Sequence, residues 1–557
     1  MTWTPITFDA MWRRAVADGP ERVFLRFEGA TGEVTEWTYG EFDRVVEGTA
    51  ERLAGAGVGR GDSVHLALTN SPTFVAAWLA AIRLGAWIVP SDPMSTTTEL
   101  TEHVSRTRPA VGFCATERAD TYRAVAADVL PRTLIDVDES DAALPWLTPT
   151  TPGDRHRPDL RDRAAVMFTS GTTGRPKGVA ITQANYAFAG HTMAMACDLT
   201  AADRQLVVLP LFHANAQYYS FASAIAVGAS VALMPAFSAS RFVEQAAAHR
   251  ATCASLFAGP IRMILARGGP SRRSPATQAE SGRSLAGARS LEPADGSTSP
   301  PLLLRHCWFA QNLTPGQYAT ISEWLGCRPR QLYGMTETIP AVLTDERDDP
   351  RCDTMGYVTD GCLVDLADGE VIVGGEPGIT LFAGYLDDPD TTTRSFRDGW
   401  FVTGDRSHRD ERGRYTFDGR RSDVLKVAGE NVSTVEVEQV LASHPGVADV
   451  AVIGAPDPVR DEVPVAIVVP TAGAGGHDAL RAELEQWCAE RLGKAKRPHD
   501  YRFVEELPRT SVGKIKKYQL LRSPSTTLAA RAVAGRSSAG ASSFASETDL
   551  ERRRDAE

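Results

Sequence analysis

At 557 residues the chain is too long for one hydrophobic core, since single cores stop growing near roughly 250–300 residues, and its 43% hydrophobic and 23% charged content is that of a globular protein. Its formal charge of 59 − 70 = −11 argues against nucleic acid as a partner, because phosphate backbones are bound by basic surfaces. The eight cysteines are scattered without a C-x-x-C pair, and the first residues lack a basic start followed by an apolar core, so a reduced, cytoplasmic protein without structural zinc is expected.

Thr38 and Glu41 form a capping-box signature, and Phe42, Val45, Val46, Ala50, Leu53 and Ala54 recur at helical spacing, which predicts an amphipathic helix to about Gly57. A strand at 63–68, a buried helix at 72–84 and a strand at 86–89 then read as one βαβ unit. Arg83 and Gly85 within that apolar stretch argue against a membrane span. The same order returns as strand 205–209, helix 217–227 and strand 230–234, with Gly228-Ala229 as the helix stop. A helix at 242–249 and a strand at 252–257 continue the alternation, which predicts mainly parallel sheets in layered α/β subdomains.

Residues 268–301 shift to Gly, Pro, Ser, Arg and Ala, too little apolar surface to offset ordering, and predict a flexible insert. Short β-like runs over 370–417 predict a β subdomain. Helix 435–442, strands 447–453 and 463–469, and helix 478–492 predict a separate α+β unit. The expected fold class is therefore α/β, with a large N-terminal domain at 1–421, a small α+β C-terminal domain at 422–522 and a disordered tail at 523–557.

Directly after the apolar run 164–168 stands Thr169-Ser170-Gly171-Thr172-Thr173-Gly174-Arg175-Pro176-Lys177-Gly178. Small residues let backbone N–H groups approach an anion, the hydroxyls add donors, and Lys177 adds a compact positive charge. Read alone, this is a phosphate cradle or a solvated surface turn. It is not the G-x-x-x-x-G-K-[ST] loop, because Pro176 precedes the lysine and Gly178 follows it.

Four further blocks accompany it: Tyr333-Gly334-Met335-Thr336-Glu337-Thr338, Trp400-Phe401-Val402-Thr403-Gly404-Asp405, Gly419-Arg420 through Lys426-Val427-Ala428-Gly429-Glu430-Asn431, and Pro508-Arg509-Thr510-Ser511-Val512-Gly513-Lys514-Ile515. In order and spacing, over about residues 10 to 522, the set resembles the AMP-forming adenylating superfamily of acyl-CoA synthetases, luciferases and nonribosomal adenylation domains. That resemblance implies ATP, Mg2+ and CoA as cofactors and a small-molecule acid as substrate. It assigns the 169–178 loop to the β- and γ-phosphates, Thr336 to an α-phosphate oxygen and Glu337 to the Mg2+. Tyr333 would stack on adenine, and Asp405 with Arg420 would fix the ribose. Lys514 would bridge the acid and the α-phosphate, while the small domain, mobile about a hinge at Ser422, would offer its Gly429 face for the second half-reaction.

Trp308-Phe309-Ala310-Gln311-Asn312-Leu313 and Gly334 to Ile339 look most like the carnitine/crotonobetaine-CoA ligase branch. His213 occupies the family's gating position beside the carboxylate. Trp308 and Phe309 are expected to narrow the pocket, with Asn215, Gln217 and Thr338 also lining it, which favours a small or aromatic acid. Plain core packing is the other reading of the two aromatics. The expected activity is an AMP-forming acid–CoA ligase. Alternative acceptors for the same first step are an aryl amine, diazotised with nitrite, or a carrier protein.

Overall fold

The structure, a computed structural model, describes residues 3–125, 128–139, 157–169, 176–267, 301–420, 424–427, 430–457, 460–472, 476–509 and 515–522. The predicted capping box begins the helix Tyr39–Gly55: Glu41 N–H donates to Thr38 Oγ1 at 3.1 Å, and Thr38 N–H donates back to Glu41 Oε2 at 2.8 Å. Two orphan donors of the first turn are thereby satisfied.

The described strands form four sheets. In the seven-stranded sheet, Ser63–Ala67 passes through the helix Pro72–Arg83 and returns in parallel as Trp87–Pro90, with His65 opposite Val89. Every residue of that helix is buried, Arg83 included. Burial opposes the arginine's charge, but Asp43 at 2.5 Å, Glu47 at 2.7 Å and Asp9 at 3.5 Å outweigh it and hold the guanidinium pKa above its ordinary value. No described helix is long and apolar enough to cross a membrane.

In the nine-stranded sheet Arg204–Val207 lies between Ser230–Leu233 and Cys253–Ser255, and His306–Phe309 and Arg330–Tyr333 follow beside the latter. All of these neighbours are parallel, so their carboxyl ends share one edge, where open parallel sheets bind ligands. The expected helix over 217–227 is split: a π-helical segment, Asn215–Ala222, runs into the short α-helix Ser223–Val227, which Gly228 ends at φ 70°. Alternating hydrophobic residues do not encode an i→i+5 ladder, so this element is invisible to periodicity. The helix Gln183–Ala196 packs on it so closely that a Cβ at Gly190 would lie 2.5 Å from the Ala222 carbonyl oxygen.

A five-stranded, largely antiparallel sheet at 363–420 corresponds to the expected β subdomain. The last sheet joins the hairpin Val424–Val427 and Glu430–Ser433 to Val447–Asp457, Asp461–Pro470 and Asp500–Phe503, with helices Thr434–Ala442 and His477–Arg491. It has its own buried cluster around Val432, Val437, Leu441, Val468 and Leu484. The α/β class holds, with a large N-terminal and a smaller C-terminal part. Residues 268–300 of the expected insert, the hinge Ser422 and the tail from 523 lie outside the described residues.

Candidate active site

Two side-chain clusters meet beyond the carboxyl end of Arg330–Tyr333. Tyr333, the last residue of that strand, donates its hydroxyl to Asp405 Oδ2 at 2.7 Å, and Arg420 Nε donates to Asp405 Oδ1 at 3.0 Å. Asp405 and Arg420 are register partners on adjacent antiparallel strands, Trp400–Arg409 and Tyr415–Arg420. Asp405 is buried, and each of its oxygens accepts one hydrogen bond from a fixed donor. Burial first, and the Asp405 charge second, push the Tyr333 hydroxyl well above its usual range.

The second cluster centres on Glu337. The chain turns after Tyr333 through a short 3-10 segment, Thr336–Thr338, closed by Met335 N–H donating to Thr338 Oγ1 at 3.0 Å. Ile339 follows at φ 68°, ψ −51°, a costly conformation for a β-branched residue that cannot be relieved without moving the turn. Glu337 is 5% exposed; Tyr385 donates its hydroxyl to Glu337 Oε1 at 3.0 Å, and Lys177 Nζ sits 4.8 Å from the centre of the Tyr385 ring. Burial raises the Glu337 pKa, while its own backbone, Tyr385, Lys177 and Arg420 pull the other way without cancelling it. Arg420 thus acts electrostatically on both clusters.

Lys177 and Thr169 are opposite each other at the mouth of an antiparallel hairpin, Arg163–Thr169 and Lys177–Thr182. Ser170, Gly171, Thr172, Thr173 and Gly174 of the phosphate-loop expectation lie outside the described residues, as do Gly429 and Lys514. Thr336 is half-buried within the 3-10 segment beside Glu337.

The residues of the expected acid pocket differ in what they touch. His213 is half-buried, its ring 4.5 Å from that of Phe212, at the entry to the π-helical segment. Asn215 is 4% exposed, and neither its amide oxygen nor its nitrogen has a hydrogen-bond partner among the described residues. The hydroxyls of Tyr218 and Ser255 are buried and unpartnered in the same way, and the segment packs against the strand that ends in Ser255. Gln217 is not free to meet a substrate: it accepts from the Tyr186 hydroxyl and donates to the Leu211 carbonyl, so its amide is a structural tie.

Trp308 and Phe309 do not narrow a pocket. At 1% and 0% exposed, they point to opposite faces of their strand. Trp308 donates to Cys197 Sγ at 2.8 Å beneath the Arg330 guanidinium, and Phe309 packs toward Tyr318. Consecutive strand residues alternate faces, so both cannot line one cavity. The Thr338 hydroxyl is likewise buried and committed to closing its own turn. Tyr385, Tyr218 and Ser255 belong to none of the sequence blocks; long-range pairing brings them in, and no local pattern marks them.

The fold and these clusters are those of an ATP-dependent α/β enzyme of the adenylating type. The chain belongs to the AMP-binding enzyme family: it matches that family over residues 12–386 and the AMP-binding enzyme C-terminal domain over residues 436–514. Crotonobetaine/carnitine–CoA ligase of Salmonella arizonae is 30% identical over 542 residues, covering 92% of this chain and 98% of the relative. The ligase of the same description from Escherichia coli O157:H7 is 30% identical over 529 residues, covering 91% and 97%. Among solved structures, the anthranilate CoA ligase AuaEII in complex with anthranoyl-AMP superposes with a TM-score of 0.80 at 23% identity, covering 93% of this chain and 97% of that one. The o-succinylbenzoate CoA synthetase of Bacillus subtilis in complex with its acyl-adenylate OSB-AMP gives 0.76 at 25% identity, covering 93% and 98%.

Proposed function

We propose that the protein is an AMP-forming acid–CoA ligase acting on a small or aromatic acid that carries a hydrogen-bonding substituent. The observation that carries the acid class is the buried amide of Asn215 with the buried hydroxyls of Tyr218 and Ser255, none of which has a hydrogen-bond partner among the described residues. Buried polar groups left unpaired cost roughly 1–3 kcal/mol each, and three of them grouped on one segment and its neighbouring strand are offset when a bound polar group pairs with them. A plain hydrocarbon chain cannot, and a hydroxyl, amino or amide substituent can.

In the first half-reaction a carboxylate oxygen of the acid attacks the α-phosphorus of ATP, and the bond from that phosphorus to the β-bridging oxygen breaks, releasing pyrophosphate. Tyr333 covers the adenine, and Asp405 and Arg420 fix the ribose hydroxyls, a reading supported by their mutual hydrogen bonds. Thr169 and Lys177 hold the leaving phosphates and Thr336 an α-phosphate oxygen. Glu337 fits Mg2+: it is a hard oxygen donor, the ligand type this ion takes alongside phosphate oxygens. When bound, Mg2+ neutralises charge on the phosphates. Lys514 bridges the two anions as they approach. In the second half-reaction the CoA sulfur, having lost its proton, attacks the acyl carbon and AMP leaves, a step the family resemblance assigns to the Gly429 face of the small domain. The units 1–421 and 422–522 exchange these two arrangements about Ser422.

Pyrophosphate release screened across small hydroxy-, amino- and aryl acids, followed by mass detection of the CoA thioester, tests the proposal. Release with such an acid and a thioester afterwards supports it. Release without any thioester, with turnover restored by a carrier protein or by nitrite and an aryl amine, would reassign the acceptor.

A further inference from the structure

The helix Thr97–Thr107 carries two side chains on one face, His103 and Arg106, that both meet the ring of Phe168. The His103 ring stacks on it at 4.2 Å and 8°, and the Arg106 guanidinium carbon lies 5.0 Å from its centre. Phe168 immediately precedes Thr169 on the first stem of the phosphate hairpin. Arg106 Nη1 also donates to the Pro176 carbonyl at 2.7 Å, immediately before Lys177 on the second stem. Its Nη2 donates to the Leu386 carbonyl at 3.4 Å, next to the Tyr385 ring beneath Lys177. Glu102 Oε1, 3.4 Å from Nη1, balances the charge.

One guanidinium therefore touches three chain segments at the mouth of the hairpin, and it is well shielded, its side chain 15% exposed. The rigid fork of donors makes this possible; an ammonium at the end of a flexible stem cannot serve two carbonyls in the same geometry. The helix beneath is itself anchored. His103 Nδ1 pairs with Ser91 Oγ at 2.7 Å, Ser91 Oγ with His65 Nε2 at 2.9 Å, and His65 Nδ1 with the Tyr122 hydroxyl at 2.7 Å.

We infer that Arg106 is a positioning residue for the phosphate loop: it fixes the spacing of the two hairpin stems so that Thr169 and Lys177 face the β- and γ-phosphates together. This rests on the ligase reading above, but its test needs no knowledge of the acid. The dissociation constants of the full-length protein for ATP and for AMP are measured by titration calorimetry, with melting temperatures alongside. Arg106→Ala is expected to weaken ATP about tenfold, equivalent to about 1.4 kcal/mol, while AMP, which lacks the outer phosphates, stays within about twofold. Arg106→Lys, which keeps charge and bulk and folds where the alanine variant fails, is expected to recover only part of the ATP affinity. A merely structural role would weaken both nucleotides alike, and that result, or unchanged ATP affinity in both variants, overturns the inference. A wild-type protein that binds neither nucleotide would refute the ligase reading as well, and is seen before any variant is made.

Discussion

Replacing Glu337 by Gln separates what the carboxylate does for the reaction from what it costs the fold. In the free protein the group is buried, and the Tyr385 hydroxyl at 3.0 Å, Lys177 and Arg420 only partly offset its desolvation, so its pKa stands above the ordinary 4.5. A folded-state pKa above the unfolded one means that the group's contribution to stability is fully present below pH 4.5 and is lost as pH rises through the folded value. Gln keeps an acceptor oxygen for Tyr385 and stays neutral throughout. Exchanging a hydrogen bond to a charged acceptor for a neutral one loses about 1 kcal/mol, while removing a poorly compensated buried charge returns several, so a net gain of about 1–2 kcal/mol is expected at pH 8. In a unit of this size that is a rise of no more than a few degrees, roughly 2–4 °C per kcal/mol at the upper end. Thermal melts without nucleotide, from pH 4.5 to 8.5, should show the two proteins nearly matched in acid and the variant increasingly ahead as pH rises. Pyrophosphate release should fall about 10²- to 10³-fold in the same variant. A wild-type protein more stable than the variant at pH 8, with the gap widening upward, would refute the reasoning, because it would mean that Lys177 and Arg420 favour the charge more than burial opposes it.

Asn215→Leu removes two unpartnered polar atoms, so melting should stay level or rise slightly while the KM for a polar acid increases about tenfold or more and the KM for ATP is unchanged; steady-state kinetics check both. Lys514→Ala is expected to abolish adenylation yet spare thioester formation from a synthetic acyl-adenylate, and an equal loss of both steps would contradict the two-arrangement scheme. Arg83→Met strands Asp9, Asp43 and Glu47 around an uncharged side chain and should destabilise the protein by about 3–5 kcal/mol in urea titration, although Arg83 contacts none of the site residues.

What could be read in advance follows from how far each signal reaches along the chain. The Thr38–Glu41 box spans four residues and was legible, and so were the parallel units around residues 63–90 and 204–233, because each stop and start is written in adjacent residues. Tyr333, Asp405 and Arg420 were legible as members of spaced blocks, and the structure brings them within hydrogen-bonding distance. Trp308 and Phe309 misled because bulk says nothing about direction: strand alternation sends one toward Cys197 and the other toward Tyr318, and which face borders the site depends on neighbouring strands. Gln217 misled because a buried amide looks the same in sequence whether it waits for a ligand or ties Tyr186 to Leu211. Tyr385 was missed since its contact with Glu337 spans 48 positions and belongs to no local pattern.

The close approach of Gly190 to the Ala222 carbonyl ties the helix Gln183–Ala196 to the segment that carries Asn215, the residue the proposed function sets beside the acid. Any side chain at 190 would have to push backbone, and Ala222 ends the same wide-turned segment that Asn215 begins. Drift or laboratory selection toward a different acid can therefore act through the thickness of a methyl group between two helices, leaving every residue that touches ATP in place. On the proposed function, two relatives with identical nucleotide-contacting residues would accept different acids if they differed at position 190.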